Sequence, residues 1–251
     1  MSEFWYTQTT MRGVYGADYR AFQPFDGTHL FWLCLCLVLC VTLGLWYRGA
    51  SEQQRARCLR VLVVLLLADE LLKYGFTLAT GQFEWQYLPL HLCSINIFVC
   101  VWYVLKRSDI AAEILYALCL PGALLASLSP SWLPLPLWNI MHLHSASVHI
   151  LLVLFPVLLL AGGFRPDYRR LWKVGLFLAA GAVCALVCNT LTGTNFMFLN
   201  GTDNNPILNI FASLFGEKLY ILGFPIILAV LWTAMYLPWV LARRRAAQTA
   251  A

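Results

Sequence analysis

The sequence predicts an all-α integral membrane protein, a bundle of seven transmembrane helices with its N-terminus outside and its C-terminus cytoplasmic. Three observations predict it. Of the 251 residues, 61% are hydrophobic and 12% charged, whereas about a quarter of the residues of soluble domains are charged. Seven near-continuous apolar runs meet or approach the roughly 20 residues that a spanning helix needs. Lys and Arg gather in alternate connections between those runs, the pattern that fixes cytoplasmic loops. A transmembrane barrel would instead show alternation over about ten residues.

The elements follow in order. Residues 1–29 form an external N-terminal segment; "MSEFWYTQTT" lacks the basic region and short apolar stretch of a cleavable signal, so the first span is expected to stay. The spans are Leu30 to Tyr47, Val61 to Ala79, Leu90 to Leu105, Ile110 to Ser127, Asn139 to Ala161, Leu171 to Leu191 and Leu219 to Leu241. Arg48, Arg55, Arg57 and Arg60 mark the first connection as cytoplasmic, Lys106 and Arg107 the third, and Arg165, Arg169, Arg170 and Lys173 the fifth. The connections Thr80 to Pro89 and Leu128 to Trp138 contain no Lys or Arg, and Thr192 to Lys218 has only Lys218, so these lie outside. Residues 30–241 are thus one membrane domain, and 242–251, with Arg243, Arg244 and Arg245, a basic cytoplasmic tail. Pro130, Pro134 and Pro136 fall in an outer connection, where they cost no helix hydrogen bond, while Pro121 and Pro225 are expected to kink or open their helices. Trp85, Tyr87, Trp132 and Trp138 supply an outer aromatic belt.

The net charge of +5 resides in the cytoplasmic connections, so it reads as topology and implies no nucleic-acid partner. Most of the nine cysteines lie in apolar runs, where Cys behaves as a small hydrophobe, and no disulfide framework is expected. Intramembrane polar residues are costly and usually face a protein interior or a wet cavity. Here they collect in the outer halves of four helices: Glu70 and Lys73; His91, Cys93, Ser94 and Asn96; His142, His144, Ser145, Ser147 and His149; and Asn189, Thr190 and Thr192. The inner halves read as mostly plain apolar sequence. His142, Ser145 and His149 share one helical face, as do Cys93 and Asn96, and such faces can converge on one cavity.

Each group has a bland reading. Cys93 is either a small core residue or a nucleophile, which would need a base or cation to form the attacking thiolate. The histidines are acid–base groups or structural donors; their spacing is no known zinc pattern, and neither metal nor cofactor is expected. Glu70 and Lys73, with Asp69 beside them, are an internal ion pair or part of a proton relay. "TNFMFLN" is a surface loop or a re-entrant lip over the cavity, and Asn200 opens an NGT sequon. A proton-coupled carrier or small-molecule binder using Glu70, Lys73 and the histidines is the rival to an enzyme, although no inverted repeat supports it. A retinal photoreceptor is disfavoured, since the last span lacks a mid-span lysine.

"LPLHLCS" opening a helix, a His-bearing helix after a Pro-rich connection, and "NTLTGTNFMFLNGTDNNPIL" resemble the bacterial YwaF-like integral membrane proteins, a family similar to the eukaryotic transmembrane protein 164 family. The likeness runs from about Val61 to Leu241. It implies a lipid acyltransferase of a bacterial cell membrane, in which a cysteine takes an acyl group from a phospholipid and passes it to a lysophospholipid or, in hydrolysis, to water. Cys93 matches the nucleophile position and a histidine of the fifth span the base, with His149 first and His142 second. His91, Asn96, Asn189 and Asn195 are the candidates for substrate or oxyanion contacts, and Glu70 and Lys73 the supporting polar cluster. "HLHSASVH" departs from the family's single His followed by Gly. At 1.5 Å per residue, Cys93 would lie only about 6 Å past Pro89 and His149 about 16 Å past Trp138, a mismatch in depth of about 10 Å that a tilted fifth helix, a later helix start or use of His142 would remove.

Overall fold

The computed structural model describes residues 2–203 and 205–249. Among these the protein is all-helical: α1 (Gln8–Tyr15), α2 (Gly27–Gly49), α3 (Glu52–Ala79), α4 (Leu92–Lys106), α5 (Asp109–Ile114) running through a π-helical turn (Leu115–Cys119) into α6 (Leu120–Leu128), α7 (Ile140–Ala161), α8 (Leu171–Thr192), α9 (Pro206–Phe215) and α10 (Gly223–Thr249). Helices occupy all seven predicted segments, and six of the segments are long and apolar enough to cross a membrane. The second, α3, is not among the six; it is 28 residues long but carries Asp69, Glu70 and Lys73.

Helix starts follow local chemistry. Ser51 closes a capping box with Gln54, Ser108 caps α5, Asn139 accepts from the N–H groups of Met141 and His142, and Asn205 with Pro206 at the first position opens α9. Asp26 caps α2, accepting the His29 N–H at 3.0 Å on one oxygen and the Gln23 N–H at 2.8 Å on the other. Those two backbone hydrogen bonds, Gln23 first, hold its carboxyl below the usual 3.8. The folded carboxylate therefore stays charged to lower pH than in the unfolded chain, and its contribution is complete above that value and lost as pH falls through the folded one. Asp26→Ala is expected to lower stability by about 1 kcal/mol at neutral pH. In thermal unfolding measured across pH, the gap between variant and wild type should close in acid.

α7 is the central helix, packed on α2, α3, α4 and α6. Its side chains Leu152, Val153, Leu154, Phe155 and Leu158 are buried in a core completed by Leu59, Leu66, Ile97, Cys100, Ile114, Leu115 and Leu118. Two prolines inside this core remove backbone donors, and neighbouring side chains replace them. Pro156 cannot donate to the Leu152 carbonyl four residues earlier, and the Cys119 thiol donates to it at 3.3 Å. Pro121 cannot serve Ala117, whose carbonyl takes the Trp232 indole N–H at 3.0 Å. Without water in a bilayer core, such replacements are obligatory, and the π turn ends directly before the residue pair Leu120 and Pro121. Pro225 differs from expectation: it is the third residue of α10, where its missing N–H would have had no intrahelical partner. Pro156 and Pro238, unremarked in the sequence, also lie inside helices.

The two ends of the bundle differ. At the basic end, Glu113 is fully buried, accepting the Tyr236 hydroxyl at 2.6 Å and the Asp167 N–H at 3.2 Å on each oxygen, with Arg170 at 3.7 Å. Arg170 also reaches Asp109 at 2.7 Å, and Arg243 donates to the Pro166 carbonyl at 2.9 Å. This hub ties α5, α8 and α10 together and corrects the reading of that half as plain apolar sequence. α10 runs on to Thr249, so Arg243, Arg244 and Arg245 are carried on the same helix as the last span.

At the opposite end the N-terminal segment folds over the bundle as a cap. Met11 and Phe22 are buried with Phe76, Trp132, Leu135, Ile140 and Met141. Asn139 donates to the carbonyls of Glu3 and Tyr6, and Gln82 accepts the Thr7 N–H and the Thr10 hydroxyl. Ala21 N–H donates to the Leu133 carbonyl at 2.8 Å, and the Gln8 amide to the Ser131 carbonyl at 3.1 Å.

Candidate active site

The capped end carries the polar residues. α4 has 15 residues and α7 has 22, about 22 and 33 Å of helix. The shortfall of about 10 Å is the depth mismatch expected between Cys93 and His149. The chain enters through a 3-10 turn at Trp85–Tyr87 and reaches helical geometry only at Leu92. Cys93, the second residue of α4, thereby starts deep.

There the Cys93 thiol lies within electrostatic reach of the His149 imidazole. His149 Nδ1 lies 2.6 Å from the Ser145 carbonyl, which can only accept, so Nδ1 carries the proton and Nε2 is the nitrogen left for the thiol. Trp132 stacks on the same ring, centroids 5.1 Å apart and planes 19° apart. His91 is the N-cap of α4 but makes no side-chain cap. The first N–H groups of the helix, at Leu92, Cys93 and Ser94, have no intrahelical acceptors, so positive potential and free donors surround the sulfur.

His91 packs against Phe196 and Phe198, with centroids at 5.1 and 6.1 Å, and lies in the electrostatic reach of Lys73 and His149. These phenylalanines belong to "TNFMFLN", which forms a lip on the site. Phe196 is fully buried, and Met197 and Phe198 hold left-handed φ of 55° and 56°, a strained pair for residues other than glycine. Asn189 fixes the lip, accepting the Phe196 N–H at 2.7 Å and the Thr194 hydroxyl at 3.0 Å and donating to the Phe196 carbonyl at 3.1 Å. Asn195 accepts the Asn200 N–H and donates to the Gly201 carbonyl, each at 2.8 Å. The Tyr220 hydroxyl donates to the Phe198 carbonyl at 2.6 Å. Asn189 and Asn195 thus shape the lip. Asn96 donates to the Leu92 carbonyl at 2.9 Å, and its buried Oδ1 has no hydrogen-bond partner.

His142 stands elsewhere, fully buried, with both nitrogens engaged. The Trp32 indole N–H donates to Nε2 at 2.8 Å, which leaves Nδ1 to donate to the Leu135 carbonyl at 2.8 Å. His144 and Ser147, on another face of α7, meet α3. His144 Nδ1 lies 3.0 Å from Asp69 and its Nε2 3.9 Å from Glu70, while Ser147 donates to Asp69. Glu70 in turn pairs with Lys73 at 2.5 Å, both buried. Glu70 and Lys73 were legible as an ion pair; His144 as the bridge between two carboxylates was not. No grouping of three or more His, Cys, Asp or Glu suited to a metal occurs among the described residues.

An all-helical chain with six apolar helices of spanning length and its polar residues folded inward is an integral membrane protein. The comparisons identify its kind. The model of the TMEM164 family matches residues 24–236, most of the chain, and the chain belongs to that family. No curated protein and no solved structure matches it.

Proposed function

We propose that the protein is a membrane-embedded lipid acyltransferase in which Cys93 is the nucleophile and His149 its base. The electrostatic pairing of these two side chains at the uncapped start of α4 carries the reading. His149 takes the thiol proton; the thiolate adds to an ester carbonyl of a phospholipid. The resulting oxyanion is suited to the free N–H groups of the first turn. Collapse breaks the ester bond, and the imidazolium gives its proton to the departing lysolipid alkoxide, leaving an acyl thioester on Cys93. A lysophospholipid hydroxyl then surrenders its proton to His149 and attacks the thioester, returning the thiolate, which takes back the proton; water in that place gives hydrolysis. Acyl chains already lie in the bilayer, so the carbonyl needs no extraction from it.

The site end faces outward in this proposal, because the arginine-rich connections are at the other end. The bacterial cell membrane belongs to the same proposal and rests on the sequence resemblance alone. The test uses the purified full chain, a phospholipid with a labelled acyl chain and a lyso acceptor. Wild type should transfer label and Cys93→Ala should not. Equal transfer by both would end the cysteine mechanism.

A carrier reading has one observation in its favour, the buried chain Asp69, His144, Glu70 and Lys73. Proton-coupled uptake into liposomes that Glu70→Gln abolishes and Cys93→Ala leaves intact would select it.

A further inference from the structure

We propose that Trp132 is a positioning residue for the Cys93–His149 pair: its indole face holds the imidazole in register with the thiol and favours the state in which His149 is the cation and Cys93 the anion. The inference rests on the dyad reading above and deepens it.

Three contacts define the pose of His149. One lies in the plane of its ring, Nδ1 to the Ser145 carbonyl at 2.6 Å, and a second is its electrostatic partner Cys93. They fix rotation within that plane but not tilt out of it. The third lies against the ring face, where Trp132 sits nearly parallel at 19°, centroids 5.1 Å apart. An indole face is the most favourable aromatic surface for a cation. A neutral imidazole gains ordinary stacking from it, whereas an imidazolium gains an electrostatic attraction as well. The stack therefore favours the charged pair over the neutral one.

The charged and titratable groups around His149 come from several elements. Cys93 and His91 are on α4, with Lys73 of α3 behind His91. Cys119, at the end of the π turn, lies in the electrostatic reach of Cys93. None of these four is a carboxylate, and Glu70 of α3 is paired with Lys73 at 2.5 Å. The imidazolium is thus left with the thiolate it creates and the indole as its favourable partners among these groups.

Trp132 is itself immobilised. It is buried at 8% exposure among Met11, Phe22, Leu135 and Met141. The residues on either side of it are tied to the N-terminal cap, Ser131 through Gln8 and Leu133 through Ala21. The cap thereby sets the indole, and the indole sets the imidazole. This gives residues 2–26 a role in the chemistry, exerted through Trp132.

The test reads the dyad without any lipid. Full-length protein in detergent is alkylated with iodoacetamide across pH, and the rate at each cysteine is followed by peptide mass spectrometry. Trp132→Leu should raise the pH of half-maximal Cys93 alkylation by about 0.5 to 1 unit, about threefold to tenfold in rate at fixed pH below it. Trp132→Phe should recover most of that, and Gln8→Ala should move the profile the same way by less. Wild-type chain produced with fluorinated tryptophan, which weakens the ring's negative face at nearly constant shape, should shift upward too and covers the case in which Trp132→Leu fails to fold. Low rates at the buried Cys100 and Cys119 report that the fold is intact. A Cys93 profile unmoved in pH by Trp132→Leu and by fluorination would overturn the proposal, as would a rate scaled equally at every pH. Because alkylation needs no lipid, failure of acyl transfer would sink the enzyme reading while leaving this result readable.

Discussion

His149→Ala is expected to lower acyl transfer by about a hundredfold to ten-thousandfold, the range that a positioned general base supplies, while His142→Ala leaves the chemical step within a few-fold. The contrast follows from which lone pair is available. His149 spends Nδ1 on the Ser145 carbonyl, which leaves its other nitrogen unspent, and Cys93 is its electrostatic partner. His142 accepts the Trp32 indole N–H and donates to the Leu135 carbonyl, so it has no free nitrogen and no contact with Cys93 to lose. Its removal should instead register as instability, because two buried groups would lose their partners at about 1–3 kcal/mol each. Single-turnover transfer and thermal unfolding, measured on both variants, separate the roles. A His142→Ala protein that folds normally yet fails to transfer would move the base to that position.

Lys73→Met is expected to destabilise the protein by about 3–5 kcal/mol, whereas Glu70→Leu with Lys73→Met should recover most of that loss. Glu70 and Lys73 are each 5% exposed and meet at 2.5 Å; removing the lysine leaves a carboxylate buried without its counter-charge, and removing both leaves an apolar contact. Glu70 Oε2 is buried with no hydrogen-bond partner, the His144 Nε2 standing 3.9 Å from it, so the lysine is the close cation of the group. Denaturation of the two variants and wild type in one detergent provides the comparison. Stability of Lys73→Met equal to wild type would show that His144 carries the balance of charge without the lysine.

Much of the architecture was legible because helices in a membrane must satisfy their own backbone and must be long and apolar. The shortness and polar entrance of the segment starting "LPLHLCS" already marked Cys93, and the preference for His149 over His142 rested on motif register. What separates those two histidines physically is not local. Leu135 and Trp32, the partners of His142, come from a connection and from another helix, and no spacing within "HLHSASVH" reveals them.

Glu113 was missed although a lone carboxylate in "IAAEILYA" is the signal that intramembrane charges give; its partners Tyr236, Asp167 and Arg170 lie far along the chain. The cap was hidden for another reason. Residues 2–26 have polar and aromatic character without a spanning period, and their structure comes from packing on Trp132, Leu135 and Met141 rather than from propensity. Trp132 read as one member of an interfacial belt, and only the fold lays it on His149. Asn189 and Asn195, read by type as candidates for oxyanion contacts, each spend the side-chain oxygen and one N–H bond on the turns they close, partners that no local spacing announces.

The central claim is that the Cys93 sulfur becomes acylated. Full-length protein mixed with phospholipid and no acceptor, quenched in acid and weighed intact, tests it directly. The account predicts a mass increase equal to one acyl group, located on the peptide containing Cys93, removed by neutral hydroxylamine and discharged by a lysophospholipid. A transfer-competent protein that shows no adduct on Cys93, or carries the acyl group on another residue, would contradict it.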